Sequence, residues 1–194
     1  TFTVTDLNGC DSTLTIIITS PPTLTVVLDS TNVLCNSACN GTATAVVAGG
    51  TPGYTYSWSH GAAFVLPNVV NLCPGGYTVT VTDANGCQAQ DNVNITEPVA
   101  LTTVTSQTNV SCFGVCDGTA TVTPAGGTLP YTYSWSPAPA LGQTTPTATS
   151  LCAGSYSPVV TDANGCVSNP PAVNITQPIA ISPTITFTNP LCNG

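Results

Sequence analysis

Ten cysteines are the residues of this 194-residue chain best equipped for chemistry. Eight fall into two matched sets, Cys35, Cys39, Cys73 and Cys87, then Cys112, Cys116, Cys152 and Cys166, with Cys10 and Cys192 outside both. Such sets serve as disulfides, as a tetrahedral metal site, or as a source of a nucleophilic thiolate. Zinc is held by paired C-x2–4-C knuckles, and in the first set only Cys35 and Cys39 form one, because thirteen residues separate Cys73 from Cys87. A catalytic thiolate needs a neighbouring base or cation to lower its pKa, and the chain has no Lys or Arg and a single His. Structural disulfides remain, and with them an oxidising compartment.

The other titratable groups are few. His60 lies in Ser59-His60-Gly61, and the matching position of the second set is Pro137, so it reads as an exposed loop histidine without a repeated role. Asp83 and Asp162 precede Asn-Gly pairs and read as turn aspartates that accept backbone N–H groups. Calcium needs several converging oxygen ligands, whereas the eight acids are scattered. General acid–base catalysis needs titratable groups positioned in a cleft. No catalytic residue, metal or cofactor is therefore assigned, and the chain is not read as an enzyme.

Composition narrows the partners. Only 4% of residues are charged, where a soluble domain has about 25%. Without cations there is no groove for nucleic acid or anionic lipid. The longest apolar runs, such as Ile16 to Ile18, fall far short of the ~18 residues of a spanning helix, so no membrane insertion is expected of this segment. The absence of Lys and Arg leaves trypsin-like proteases nothing to cut, which suits life outside the cell. The 194 residues read as a window of a longer chain whose targeting signals lie elsewhere.

The elements that must position the cysteines recur in tandem. YTYSW at 54–58 returns at 131–135, 77 positions on, and TDANGC at 82–87 returns at 161–166, 79 positions on. A unit of about 77–80 residues can close a core of its own, unlike the shorter repeats of a solenoid, so beads on a string are expected. Pro motifs at Thr19-Ser20-Pro21, Thr96-Glu97-Pro98 and Thr176-Gln177-Pro178 set the boundaries: 1–21 the C-terminal part of a preceding repeat, 22–98 and 99–178 complete repeats, 179–194 the start of a following one. Short linkers with Pro predict a semi-rigid string.

Thr, Val, Ile and Tyr favour strands, Gly, Pro and Asn mark turns, and no stretch shows helical spacing, so the fold class is all-β. Thr78 to Thr82 alternates Thr and Val, and Tyr54, Tyr56 and Trp58 share one face of a strand. About seven short strands per repeat predict an immunoglobulin-like, Greek-key β-sandwich. Leu72 to Tyr77 and Leu151 to Tyr156 have the L-x-x-G-x-Y form of a tyrosine corner, with Tyr77 and Tyr156 expected to bond back to nearby backbone while their rings pack in the core. Trp58 and Trp135 are the expected central core rings. Pro158 lacks a ladder donor, so its strand is expected to be locally broken or at an edge.

In that sandwich Cys39 opens the second strand and Cys73 lies in the turn before the tyrosine strand, at the same end. Cys39–Cys73 and Cys116–Cys152 are the favoured pairs. Elimination then gives Cys35–Cys87 and Cys112–Cys166, an awkward pairing because the Asn-Gly hairpin belongs at the far end, roughly 20 Å away by strand rise, while bridged Cα atoms lie within about 7 Å. A bridge between repeats, such as Cys35–Cys166, stays open.

The order C-N-S-A-C-N-G-T-A-T, G-G-T-P-x-Y-x-Y-x-W, L-C-x-G-x-Y-x-V-x-V-T-D-A-N-G-C and N-I-T-x-P resembles the SprB-type repeat of very large surface adhesins in gliding bacteria. The resemblance implies a cell-surface filament, exported by type IX secretion and active in adhesion and gliding motility. Its expected partners are neighbouring repeats of the same chain, other filament chains or surface polysaccharide. Two other functions fit the residues: a self-assembling extracellular fibre or sheath, and an accessory β-sandwich of a secreted carbohydrate-active enzyme with Tyr54 or Trp58 as a sugar platform.

Overall fold

The computed structural model describes residues 1–59, 65–137 and 142–187; His60 and Cys192 lie outside the described residues. Two compact units are formed, Thr1–Asn32 with Cys39–Thr96, and Val33–Ala38 with Glu97–Gly194. The segment Val33–Ala38 is thus counted with the second unit, although by sequence it belongs to the block 22–98.

The first unit begins with a hairpin of β1 (Phe2–Thr5) and β2 (Asp11–Leu14), every residue of which is exposed. Two three-stranded antiparallel sheets follow. One runs β3 (Thr25–Thr31), β4 (Gly41–Ala48), β6 (Asn68–Leu72), and the other β5 (Thr55–Trp58), β7 (Gly75–Thr82), β8 (Gln88–Ile95). The alternation dictates the faces: Val79 and Val81 of β7 are fully buried, while Thr78, Thr80 and Thr82 are half-exposed. Ala43 and Ala45 of β4 are buried on the same logic, as are Val69 and Leu72 of β6, Trp58 and Ile95.

The second unit repeats the plan. One sheet is β9 (Thr102–Thr108), β10 (Gly118–Ala125) and β12 (Thr147–Leu151). The other is β11 (Thr132–Ser136) on β13 (Gly154–Thr161), whose far side carries β14 (Val167–Ser168) and β15 (Val173–Ile175). Val110, Ala120, Val122, Trp135, Ala148, Leu151, Val160, Val173 and Ile175 form one buried cluster drawn from both sheets, with Leu101, Tyr131, Tyr133 and Tyr156 packed against it. The protein is therefore all-β, with small antiparallel sheets in sequence.

Pro158 departs from expectation. β13 is continuous and central in its sheet, and Pro158 is fully buried opposite Trp135. The break falls on the partner instead. β8 runs unbroken along β7 from Gln88 to Ile95, but its counterpart pairs with β13 only at Val160–Thr161 and again at Gly154–Tyr156. The gap opposite Pro158 holds Asn169-Pro170-Pro171, and Pro supplies no ladder donor.

Gly41 and Gly118, which open β4 and β10, are required by close approach. A Cβ on Gly41 would lie 2.8 Å from Ile95 Cγ2 and 3.1 Å from the carbonyl oxygens of Leu72 and Thr31. On Gly118 it would meet Ile175 Cγ2 at 2.8 Å and Leu151 O at 3.0 Å. The N-G-T-A-T and D-G-T-A-T signatures have this steric cause.

Candidate functional site

The chemistry-bearing side chains gather at two places in each repeat, a turn and a loop. At the turn, Asp83 Oδ1 accepts the N–H groups of Asn85 (2.9 Å) and Cys87 (2.8 Å), and Oδ2 accepts that of Thr51 (2.9 Å). Asp162 does the same with Asn164 (2.9 Å), Cys166 (2.9 Å) and Thr128 (2.8 Å). Gly86 and Gly165 follow with φ of 84° and 81°, the left-handed geometry that Asn-Gly turns supply. Both carboxylates are buried. The Thr51 N–H holds the Asp83 carboxyl below its ordinary value against the opposing effect of burial, with Cys87 and Asn85 adding to it. At Asp162, burial pushes upward and is outweighed by the Thr128, Cys166 and Asn164 donors, so its carboxyl too titrates low. Each carboxylate is thus committed to its turn, which leaves it little capacity for proton transfer or metal capture.

A third copy of this turn escaped the sequence reading. Asp6 Oδ1 accepts from Asn8 (2.9 Å) and Cys10 (2.8 Å), linking β1 to β2. The signal was present as Thr5-Asp6-Leu7-Asn8-Gly9-Cys10, one residue away from TDANGC.

The loops before β4 and β10 are tied to the Pro motifs. Asn32 Oδ1 accepts Thr96 N–H (2.9 Å), and Asn109 Oδ1 accepts Thr176 N–H (2.9 Å). Further along, Ser37 N–H donates to the Glu97 carboxylate and Asn36 Nδ2 to Pro98 O (3.1 Å). In the later copy Gly114 N–H donates to Gln177 Oε1 (3.1 Å). Glu97 and Gln177 are interchangeable here because an acceptor oxygen, not a charge, is what the loop needs. Asp117 closes the second loop by accepting Ser111 N–H at 2.9 Å, and its contacts with Ser111 hold its carboxyl low.

Three disulfides are present among the described residues. Cys39 joins Cys73 and Cys116 joins Cys152, each at the end where β4 or β10 begins. The pairs reached by elimination, Cys35–Cys87 and Cys112–Cys166, do not form: Cys35 joins Cys166, the bridge between repeats that the sequence left open, and Cys10, Cys87 and Cys112 are exposed free thiols. The reason is the length of β4. Cys35 precedes its first residue, while Thr51, beyond its last, is bonded to the Asp83 turn that carries Cys87. A strand of eight residues separates the two ends by about 26 Å, far beyond the reach of a disulfide. Cys35 lies in the segment Val33–Ala38, so its bond to Cys166 is internal to the second unit.

The aromatic residues are structural donors. Trp58 Nε1 donates to Leu66 O (3.0 Å) and Trp135 Nε1 to Thr145 O (3.1 Å), and each indole is only 5% exposed. Tyr77 and Tyr156 donate to Cys73 O (3.0 Å) and Cys152 O (3.2 Å). Tyr54 donates to Gly49 O, as Tyr131 does to Gly126 O. A sugar platform needs an open ring face, and buried Trp58 offers none. Among the described residues no three His, Cys, Asp or Glu side chains converge as a metal site, and no helix is long and apolar enough to cross a membrane.

The sequence pattern of the SprB repeat family matches residues 27–63 and again 104–140. Each match starts within the first strand of its repeat and runs through the cysteine loop, the glycine-led strand and the Trp strand. No curated protein matches the chain.

Proposed function

Because this chain carries two SprB-type repeats, we propose that it is a structural stretch of a very large secreted adhesin, a stalk or filament segment working in surface adhesion and gliding motility. The observation that carries this reading is the identical employment of equivalent side chains in both repeats. Asp83 and Asp162 shape turns, Trp58 and Trp135 cap a carbonyl inside the core, and Cys39–Cys73 and Cys116–Cys152 lock the same strand end. Each of these groups serves its own fold, which is what reach by repetition requires. The architecture supports immunoglobulin-like beads in blocks 22–98 and 99–178, and the disulfides support an extracellular, cell-surface location.

The test is immunogold labelling of intact cells with Fab fragments raised against residues 22–178. Label outside unpermeabilised cells is the expected result, and label that appears only after permeabilisation overturns the reading. An in-frame deletion of 22–178 should leave adhesion measurable at reduced reach. Complete loss of adhesion would make this stretch the gripping element and not the spacer.

A further inference from the structure

Three clefts share one plan. In the second unit, a cleft is lined by Cys35 and Asn36 of the loop, Ala100 and Leu101 after the Pro motif, and Cys166 and Val167 after the turn. Loop, linker and turn meet there and are closed by the Cys35–Cys166 bond. Another cleft of that unit has Cys112 and Phe113 of the later loop with Pro178, Ile179, Ala180 and Ile181 of the later linker, and no turn. A cleft in the first unit has Pro21, Pro22 and Leu24 of a linker with Asp83, Cys87 and Gln88 of a turn, and no loop. The two incomplete clefts hold the complementary halves of the complete one, each with a free, exposed cysteine where the complete cleft has a bridged one.

We propose that Cys112 is the loop half of a second disulfide whose turn half is the cysteine of a T-D-x-N-G-C turn in a further repeat of the same polypeptide. Reciprocally, Cys87 is the turn half of a bond to a T-N-x-x-C loop in another such repeat. The rule is read from the formed example: a loop cysteine of one repeat joins the turn cysteine of the next.

Four observations support the equivalence. The loops read Thr31-Asn32-Val33-Leu34-Cys35 and Thr108-Asn109-Val110-Ser111-Cys112, and Thr188-Asn189-Pro190-Leu191-Cys192 repeats the form. The turn at Cys87 is preset like that at Cys166: Asn85 Nδ2 donates to Thr51 Oγ1 (2.7 Å) as Asn164 Nδ2 does to Thr128 Oγ1 (3.0 Å), and in the bridged case Asn164 Nδ2 also reaches Leu34 O at 3.0 Å. Ile181 occupies the sequence position of Leu101, yet Leu101 packs on a core while Ile181 is 94% exposed. Finally, the complete cleft contains one linker, whereas a bond from Cys112 to Cys87 of a second copy would bring two, Pro21–Leu24 and Pro178–Ile181, to one place. The occupant is therefore a repeat continuous with the linker after Pro178.

Closing each bond is a two-electron oxidation of two thiols. An oxidised dithiol–disulfide exchange partner accepts the electrons: one cysteine thiolate attacks its disulfide, the second displaces the mixed disulfide, and the partner leaves with two thiols carrying the two protons. The proposal rests on repeat equivalence and does not depend on the adhesin reading.

The experiment is non-reducing peptide mapping of the native polypeptide that carries this sequence, after blocking free thiols with N-ethylmaleimide. Pepsin serves as protease because the chain lacks Lys and Arg. Expected are a Cys112 crosslink to a T-D-x-N-G-C peptide and a Cys87 crosslink to a T-N-x-x-C peptide. Maleimide on both residues overturns the proposal, as does a Cys112–Cys87 crosslink, including one between isotopically mixed copies. On the isolated 194-residue chain, maleimide should modify Cys87 and Cys112 but modify Cys35 only in Cys166→Ser. Equal labelling of Cys35 in the unsubstituted chain removes the template and sinks the idea.

Discussion

Cys35 and Cys166 are bonded, with Cα atoms 5.7 Å apart, across 131 positions of sequence. A load applied at residues 1 and 187 therefore passes from Cys35 directly to Cys166. Cys39–Cys73 and Cys116–Cys152 lie inside the bypassed stretch and carry none of it. Single-molecule stretching of the oxidised chain should release only the flanks outside the bridge, which hold β1, β2, β3, β14 and β15. Cys166→Ser should add a contour length on the order of 3.3–3.6 Å per released residue, less the spans still closed by the two inner bridges. Equal lengths for both chains would show that the bond is absent.

The inner bridges act differently. Cys39–Cys73 and Cys116–Cys152 close loops of 34 and 36 positions, for which the chain-entropy treatment gives about 4 kcal/mol and measured native bridges about 2–5 kcal/mol. The paired change Cys116→Ala with Cys152→Ala should lower denaturant stability of the second unit by that order and leave Cys39–Cys73 intact by mass. An unchanged midpoint would mean that the bridge merely decorates an already closed strand end.

Much of this was legible in the sequence, and the failures have physical causes. Thr78 to Thr82 announced a half-buried strand because its period of two is local, and Asp83 announced its turn because Asp-x-Asn-Gly satisfies its own backbone. The partner of Cys35 was half legible: strand rise already made Cys87 awkward and left Cys166 open, but nothing local chose between them. Four cysteines per repeat suggest closure within the repeat, and the attachment of Val33–Ala38 to the second unit, which no local pattern announces, is what decides for Cys166. Pro158 misled for a related reason: the missing donor was visible, but not which strand would lose its pairing.

Gly41 and Gly118 test the core contact. Gly118→Ala places a methyl 2.8 Å from Ile175 Cγ2 and against the carbonyls of Leu151 and Thr108. Overpacking of this kind costs about 1–3 kcal/mol, so the melting temperature of the variant should fall. Ile175→Ala, which removes the crowding Cγ2 itself, should cost less in the Gly118→Ala background than in the parent, a coupling that a double-mutant cycle reads. A variant as stable as the parent would show that β10 and β15 can separate freely.

The turn aspartates set a pH dependence. Asp83, Asp117 and Asp162 all titrate below their ordinary value of 3.8 in the fold. In the interval between the folded value and 3.8, the native state binds fewer protons than the unfolded chain, so stability rises with pH there. Their contribution is complete above the unfolded value and is lost as pH falls through the lower, folded one. Melting temperatures between pH 2 and 6 should hold steady near the upper end and drop below about pH 4. Replacing both Asp83 and Asp162 by Asn should lower the melting temperature at pH 6, where charge-assisted acceptance of the Thr51 and Thr128 N–H groups is lost, and should flatten the acid limb. An acid limb of unchanged steepness in the double variant would place the proton uptake on other carboxylates and remove these turns from the account of stability.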